Sequence, residues 1–223
     1  MPKKRETLKY TFTVEGETEQ WYLLWLRDQI NACPDREKNI AIVPKVQQSP
    51  AKFYKGTSRK STPVVTHICD VESNEAIHVA KFQTILSEMK AAQTDKQIVY
   101  NLGYSNFTFE LWIVLHKKDC NGSFNHRSQY LLPINQAFEE NFEDLSHYKE
   151  HDAFHRCLAK LTLSDVKMAI RRAETIMRNN ERDGKTILQY KGYRYYRDNP
   201  ALSINEAVKK MLIECGIWEE SRK

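Results

Sequence analysis

The chain has 223 residues, 41% hydrophobic, 28% charged and 11% aromatic, with seven glycines and seven prolines. This balance excludes collagen-like and broadly disordered chains and supports a buried core, and no run approaches the ~18 uninterrupted apolar residues of a membrane helix. The net charge is +5, and five scattered cysteines (Cys33, Cys69, Cys120, Cys157, Cys215), odd in number and never spaced CxxC, argue against a disulfide framework or zinc ribbon and favour a reducing cytoplasm.

The basic start, Met1 to Glu6, leads into a strand-like segment rather than an apolar run, so secretion is not expected. Leu8 to Val14 is rich in β-branched and aromatic residues and predicts a first strand, ending at Glu15-Gly16. Gly16 is expected to let the backbone turn tightly beside Glu15. A helix follows from about Thr18 to Ala32, then a short strand at Asn39 to Val43, and Ser49-Pro50 opens a short helix. Pro63 to Cys69 predicts a third strand ending at Asp70, and Glu75 to Ala92 a helix. Gln97 to Leu102 predicts a fourth strand ending at Gly103, and Phe107 to His116 an apolar helix. Strands alternating with helices imply βα units and a largely parallel sheet. A polar stretch with Asn121-Gly122 marks a boundary, so residues 1–116 are expected to form the core and 117–223 a mainly helical region. There, Thr162 to Asp165 and Ser203 to Glu206 both look like capping boxes.

Positive charge is segregated. Lys45 to Pro63 holds Lys45, Lys52, Lys55, Arg59 and Lys60 with no acid, and Lys185 to Arg197 holds Lys185, Lys191, Arg194 and Arg197 with none. Without these two segments the rest of the chain is net negative. Such segregation suits a polyanion, because each neutralised phosphate releases counterions. Tyr190, Tyr193, Tyr195 and Tyr196 interleave with the second set, and two readings stand: rings that stack on unpaired bases, or a tyrosine-rich hairpin packed on the body.

In an open α/β sheet, ligands bind at the carboxyl ends of the strands. Glu15, with Glu17 and Glu19 close behind, follows the first strand; Asp70 and Glu72 follow the third. If those strands are neighbours, the acids share a crevice, and an all-oxygen set of this kind suits Mg²⁺ or Mn²⁺. The competing reading is that each acid favours the dipole of the helix behind it.

Three motifs together, Val14-Glu15-Gly16-Glu17-Thr18-Glu19, Asp70-Val71-Glu72 and Ser105-Asn106-Phe107-Thr108-Phe109-Glu110-Leu111-Trp112, resemble the RloB-like family, as does Asn199-Pro200 before a final helix. The resemblance implies a Toprim-like (Rossmann-like) α/β core with a mostly parallel four-stranded sheet that cuts phosphodiester bonds with Mg²⁺ (or Mn²⁺). It implies that Glu15 is a metal ligand and general acid/base, that Asp70 and Glu72 are the acidic pair holding the cation, and that Glu19 is an additional ligand. Glu72 departs from the pattern, which has a second Asp. Ser105, Asn106 and Glu110 belong to the third motif. Beyond the fourth strand, Ser105 and Asn106 are expected to cap the next helix or orient a phosphate, and a buried Glu110 needs a metal, Arg or Lys as partner. The resemblance also implies a toxic effector of antiphage defence controlled by a separate ATPase subunit, since no GxxxxGK[ST] loop is present. Lys52, Lys55, Arg59, Lys60, Lys191, Tyr193, Arg194 and Arg197 are the candidate contacts to a nucleic acid substrate. A homodimer is left open, and the alternative function is an inactive nucleic-acid-binding or ATPase-docking module.

Other candidates carry less. If their stretch is helical, His147, His151 and His155 fall on one face, which suits zinc or, more simply, a solvated surface. His67 is expected to be a sheet residue with a minor catalytic role left open, Cys69 a small buried side chain, and Trp21, Trp25 and Trp112 core.

Overall fold

The structure, a computed structural model, describes residues 5–55 and 64–218. Its centre is a five-stranded sheet in the order β2-β1-β3-β4-β7. β1 (Thr7–Val14), β2 (Asn39–Val46), β3 (Val64–Asp70) and β4 (Val99–Asn106) run parallel, and β7 (Ala201–Leu202) closes the far edge antiparallel to β4. The sheet therefore has one strand more than expected, and it comes from the C-terminal region. Sequence pattern could not reveal a two-residue strand.

Alternation along each strand divides the core in two. Phe12, Val14, Ile40, Ile42 and Ile68 face α1 (Glu17–Ala32) and α4 (Glu110–Leu115) on one side. Val65, Cys69, Tyr100 and Tyr104 face α3 (Ala76–Lys96) on the other. Trp112 is fully buried, while Trp21 and Trp25 pack against the first cluster from its margin. The short helix α2 (Pro50–Lys55) is tied to α3 through Glu88, which accepts from Ser49 Oγ (2.8 Å) and the Ala51 N–H (3.1 Å).

Residues beyond α4 form α5 (Leu131–Phe138), α6 (Leu145–Tyr148), α7 (His151–Ala159), α8 (Leu163–Arg182) and α9 (Ile204–Glu214), with a two-stranded hairpin, β5 (Ile187–Tyr190) and β6 (Tyr193–Tyr196), between the last two helices. The Thr162–Asp165 capping box forms as expected at the start of α8. Its counterpart at Ser203 does not: the Ser203 hydroxyl donates to Leu102 O (2.8 Å) and accepts from Tyr104 N–H (3.1 Å), so it fastens α9 to β4 rather than capping it. α6 and α7 are separate, so His147 leaves the face shared by His151 and His155, whose rings stand 4.0 Å apart. All five cysteines are free thiols. No helix among the described residues is long and apolar enough to cross a membrane.

The outer strand β2 is bordered by α1. Asn31 pairs with Ile40 through both halves of its amide, donating to the carbonyl (2.8 Å) and accepting from the N–H (2.9 Å). Gln20 donates to Pro44 O (3.2 Å), and proline has no N–H to offer.

Candidate functional site

The register of the parallel strands decides which carboxyl ends meet. Val14 lies beside Ile68, and Asp70 lies beside Ser105, so β1, β3 and β4 terminate together. Glu15 and Asp70 are thereby adjacent, and Glu15 Oε2 accepts from the Asp70 backbone N–H at 3.4 Å. Glu19, in the first turn of α1, is buried at 5% exposure and accepts from Thr18 Oγ1 (3.0 Å). Gly16 is extended (φ −141°), a conformation open to any residue, so the expected tight turn is not its purpose. A Cβ there would instead stand 3.1 Å from Glu19 Oε2, and the glycine leaves that carboxylate its space.

The third motif closes the crevice. β4 continues through Gly103 to Asn106, so Ser105 and Asn106 lie within the strand and cap nothing; the helix behind them begins only at Glu110 and has no side-chain cap. Ser105 is fully buried, and its carbonyl accepts from Val71 N–H (2.9 Å). The Asn106 amide donates to the carbonyls of Tyr196 (3.2 Å) and Arg197 (2.9 Å), holding the base of the hairpin to the end of β4. Between them and α4, Thr108 Oγ1 bonds both Asp70 Oδ2 (3.1 Å) and Glu110 Oε2. Glu110 is fully buried, and the partner it requires is Lys149, 2.9 Å from Oε1.

Electrostatics follow from this crowding. Burial pushes Glu15 up to about 7; Lys81 opposes and Glu19 adds to it. Burial lifts Asp70 far above the carboxylate range, with Glu15, Glu19 and Glu110 adding repulsion. Glu19 is raised by burial and by Glu110, against its own backbone hydrogen bond. Glu72 goes the other way. Partial burial raises it, but the hydrogen bond and charge of Lys81, with His78 and Arg127, more than offset that and hold it below its usual range. Its backbone lies in the left-handed region (φ 64°), fixed by the bond from its N–H to Phe107 O (2.9 Å). Both its side-chain oxygens turn to α3, Oε1 to Lys81 Nζ (2.5 Å) and Oε2 to His78 Nε2 (3.2 Å).

A proton on Glu15 is favoured by the fold, so the unfolded chain releases it near pH 4.5 and the folded chain near pH 7. Between those values the folded state binds more protons, and its stability falls as pH rises by about 3 kcal/mol in all. Glu15→Gln is expected to remove this component. Thermal unfolding in EDTA from pH 4.5 to 8 measures it, and parallel profiles for the two proteins would contradict it.

Two carboxylate oxygens, Glu15 Oε1 and Asp70 Oδ1, are buried without any hydrogen-bond partner. The nearest cation to the former is Lys81, 3.9 Å away. Among the described residues no three His, Cys, Asp or Glu side chains are arranged to hold a metal ion. Two free carboxylate oxygens nevertheless fit Mg²⁺, which keeps several waters and takes one or two protein carboxylates.

The cationic candidates divide. Lys52 is exposed on α2, which leaves the carboxyl end of β2, and the neighbouring Gln48 donates to Glu15 O (3.4 Å), so this segment borders the crevice. Lys55 ends α2, and Arg59 and Lys60 lie outside the described residues. Arg197 is half-exposed beside Asp198 (3.2 Å) at the end of β4. Lys191 and Arg194 are exposed away from the crevice, Arg194 on a recess of about 720 Å³ along the amino-terminal halves of β1, β3 and β4. The tyrosines favour the packed-hairpin reading. Tyr195 and Tyr196 are buried, Tyr195 against Phe82 and Tyr104, and Tyr193 is half-buried with its hydroxyl donating to Tyr100 O (3.4 Å).

His67 is buried and bonded to Thr13 (2.8 Å), and burial lowers it to about 3, so it is a neutral sheet residue near neutral pH. Burial, then Glu15 and Asp70, push the Cys69 thiol far up, as an inert side chain requires. Sequence reading missed Lys81, His78, Thr108 and Lys149. His78 and Lys81 are three residues apart on α3, a spacing that puts an imidazole and an ammonium on the face next to the crevice. Lys149 gives no such signal.

Residues 10–211 match a family model described as RloB-like protein. No curated protein and no solved structure matches the chain significantly.

Proposed function

The chain belongs to the RloB-like family, and from that membership and the carboxylate crevice we propose that it is a metal-dependent nuclease hydrolysing phosphodiester bonds of DNA or RNA. One observation carries the reading: Glu15 Oε1 and Asp70 Oδ1, at the carboxyl ends of adjacent strands, are buried acceptors without donors. Such groups are costly unless a cation or proton satisfies them. Glu15 and Asp70 would hold Mg²⁺ or Mn²⁺, with Glu19 nearest in line. When bound, the ion supplies Lewis-acid polarisation of the phosphodiester and a nucleophile at neutral pH.

The chain's own residues do the rest. Thr108 fixes the orientation of Asp70, so one oxygen stays free for the cation. Lys149 neutralises Glu110, which keeps a further negative charge from the crevice. Lys45 and Lys52 are placed to meet substrate backbone on the β2 side and Arg197 on the β4 side. A separate ATPase subunit controls the activity in this reading, and the setting is cytoplasmic antiphage defence. The engagement of Glu72 by Lys81 and His78 favours the second reading, a binding or docking module without catalysis.

Cleavage assays separate the two. Plasmid, single-stranded DNA and total RNA are incubated with Mg²⁺ or Mn²⁺, with and without EDTA, using wild type and Glu15→Ala. Cation-dependent cleavage lost in the variant is expected. Undiminished cleavage by Glu15→Ala would remove the crevice from the mechanism, and binding without cleavage in either protein would leave the docking module.

A further inference from the structure

Glu72 is engaged differently from the other acids at the strand ends, and its surroundings explain what its side chain does. Asp70 and Glu15 each keep an unpartnered oxygen in the crevice. Glu72 keeps none: Lys81 Nζ occupies Oε1 at 2.5 Å and His78 Nε2 occupies Oε2 at 3.2 Å. His78 is itself held, its Nδ1 2.6 Å from Ser73 Oγ. The backbone of Glu72 is pinned to Phe107, so the carboxylate reaches α3 from a fixed base.

The beneficiary is Lys81. An ammonium has three donors, and Lys81 spends one on Glu72. Glu15, at 3.9 Å, attracts it without accepting a hydrogen bond. The side chain is 43% exposed, so its remaining donors are open to solvent beside Glu15. We infer that Glu72, braced by His78, is a positioning residue rather than a cation ligand, and that it holds Lys81 beside Glu15 to grip a phosphate oxygen of the substrate. This rests on the nuclease reading and adds to it a residue that selects phosphate next to the scissile bond. An aspartate at this position, one methylene shorter, is expected not to reach Lys81 and His78 together.

Two measurements test it. In the first, Mn²⁺ affinity is determined by titration calorimetry for wild type, Glu72→Gln, Lys81→Gln and Asp70→Asn. The first two variants are expected within about threefold of wild type, and Asp70→Asn to lose binding. A loss in Glu72→Gln equal to that in Asp70→Asn overturns the inference, since Glu72 would then be a ligand. In the second, binding of a labelled single-stranded RNA and of the DNA of the same sequence is followed against salt in EDTA. Glu72→Gln, Glu72→Asp and Lys81→Gln are expected to bind about tenfold more weakly. Their slope of log affinity against log salt should fall by about one, and Lys81→Arg should restore both. Full affinity in Glu72→Asp, or an unchanged slope in Lys81→Gln, overturns the inference while leaving the nuclease reading intact. If wild type binds neither polymer, the substrate assignment fails and the phosphate contact fails with it.

Discussion

Replacing Asp70 with asparagine is expected to stabilise the cation-free protein and, on the proposed nuclease reading, to abolish Mn²⁺ binding and cleavage of nucleic acid. Asp70 is enclosed and repelled by Glu15, Glu19 and Glu110, and one of its oxygens has no donor. A neutral amide of the same shape removes the repulsion and still accepts from Thr108. The gain should be about 1–3 kcal/mol, the usual cost of a buried polar group left unpaired. For a chain of this size that raises the melting temperature by about 2–12 °C. Cleavage should fall by at least about 100-fold, exceeding what loss of a supporting contact around a metal causes. Scanning calorimetry with and without Mn²⁺, beside the cleavage assay, measures all three. A destabilised variant that Mn²⁺ still stabilises would show that Asp70 is structural.

Lys149→Met should act in the opposite sense. Glu110 is fully buried, and Lys149 is its only ion-pair partner among the described residues. Removing one member of a buried pair strands the other charge at about 3–5 kcal/mol. Lys149 is 40% exposed, so water reaches the pair and the loss should be nearer about 2–3 kcal/mol. The double variant Lys149→Met/Glu110→Gln should recover most of it, because the stranded charge is gone. Urea denaturation of the two single variants and the double gives the coupling. Additive losses would show that the two residues stabilise the fold independently.

Much of this architecture is legible from local pattern. β-Branched runs alternating with amphipathic helices identify four parallel strands, and the three acidic motifs identify where the crevice lies. The limits are physical. β4 runs four residues past its expected end because Gly103 breaks no pairing inside a sheet, so Ser105 and Asn106 are strand residues fastening neighbouring segments. Ser203 has the sequence of a cap, yet a closer partner on β4 takes its hydroxyl. The approach of Lys149 to Glu110 is set by packing of the C-terminal helices and leaves no periodic trace. Lys81 and His78 were legible in principle, but the apolar face of α3 carries the stronger signal. The tyrosines of the hairpin have the composition of a stacking platform and the burial of a core.

The treatment of β2 by α1 bears on whether copies of this protein can associate edge to edge. An open outermost strand invites a second molecule to lay its own strand alongside, and such zippering grows into aggregates. Here the invitation is withdrawn at Ile40, whose two polar groups are already consumed by Asn31, and at Pro44, which lacks a donor and has its acceptor taken by Gln20. Fewer groups are left for an incoming chain, which makes this border a poorer template for a ladder than an open strand of the same length.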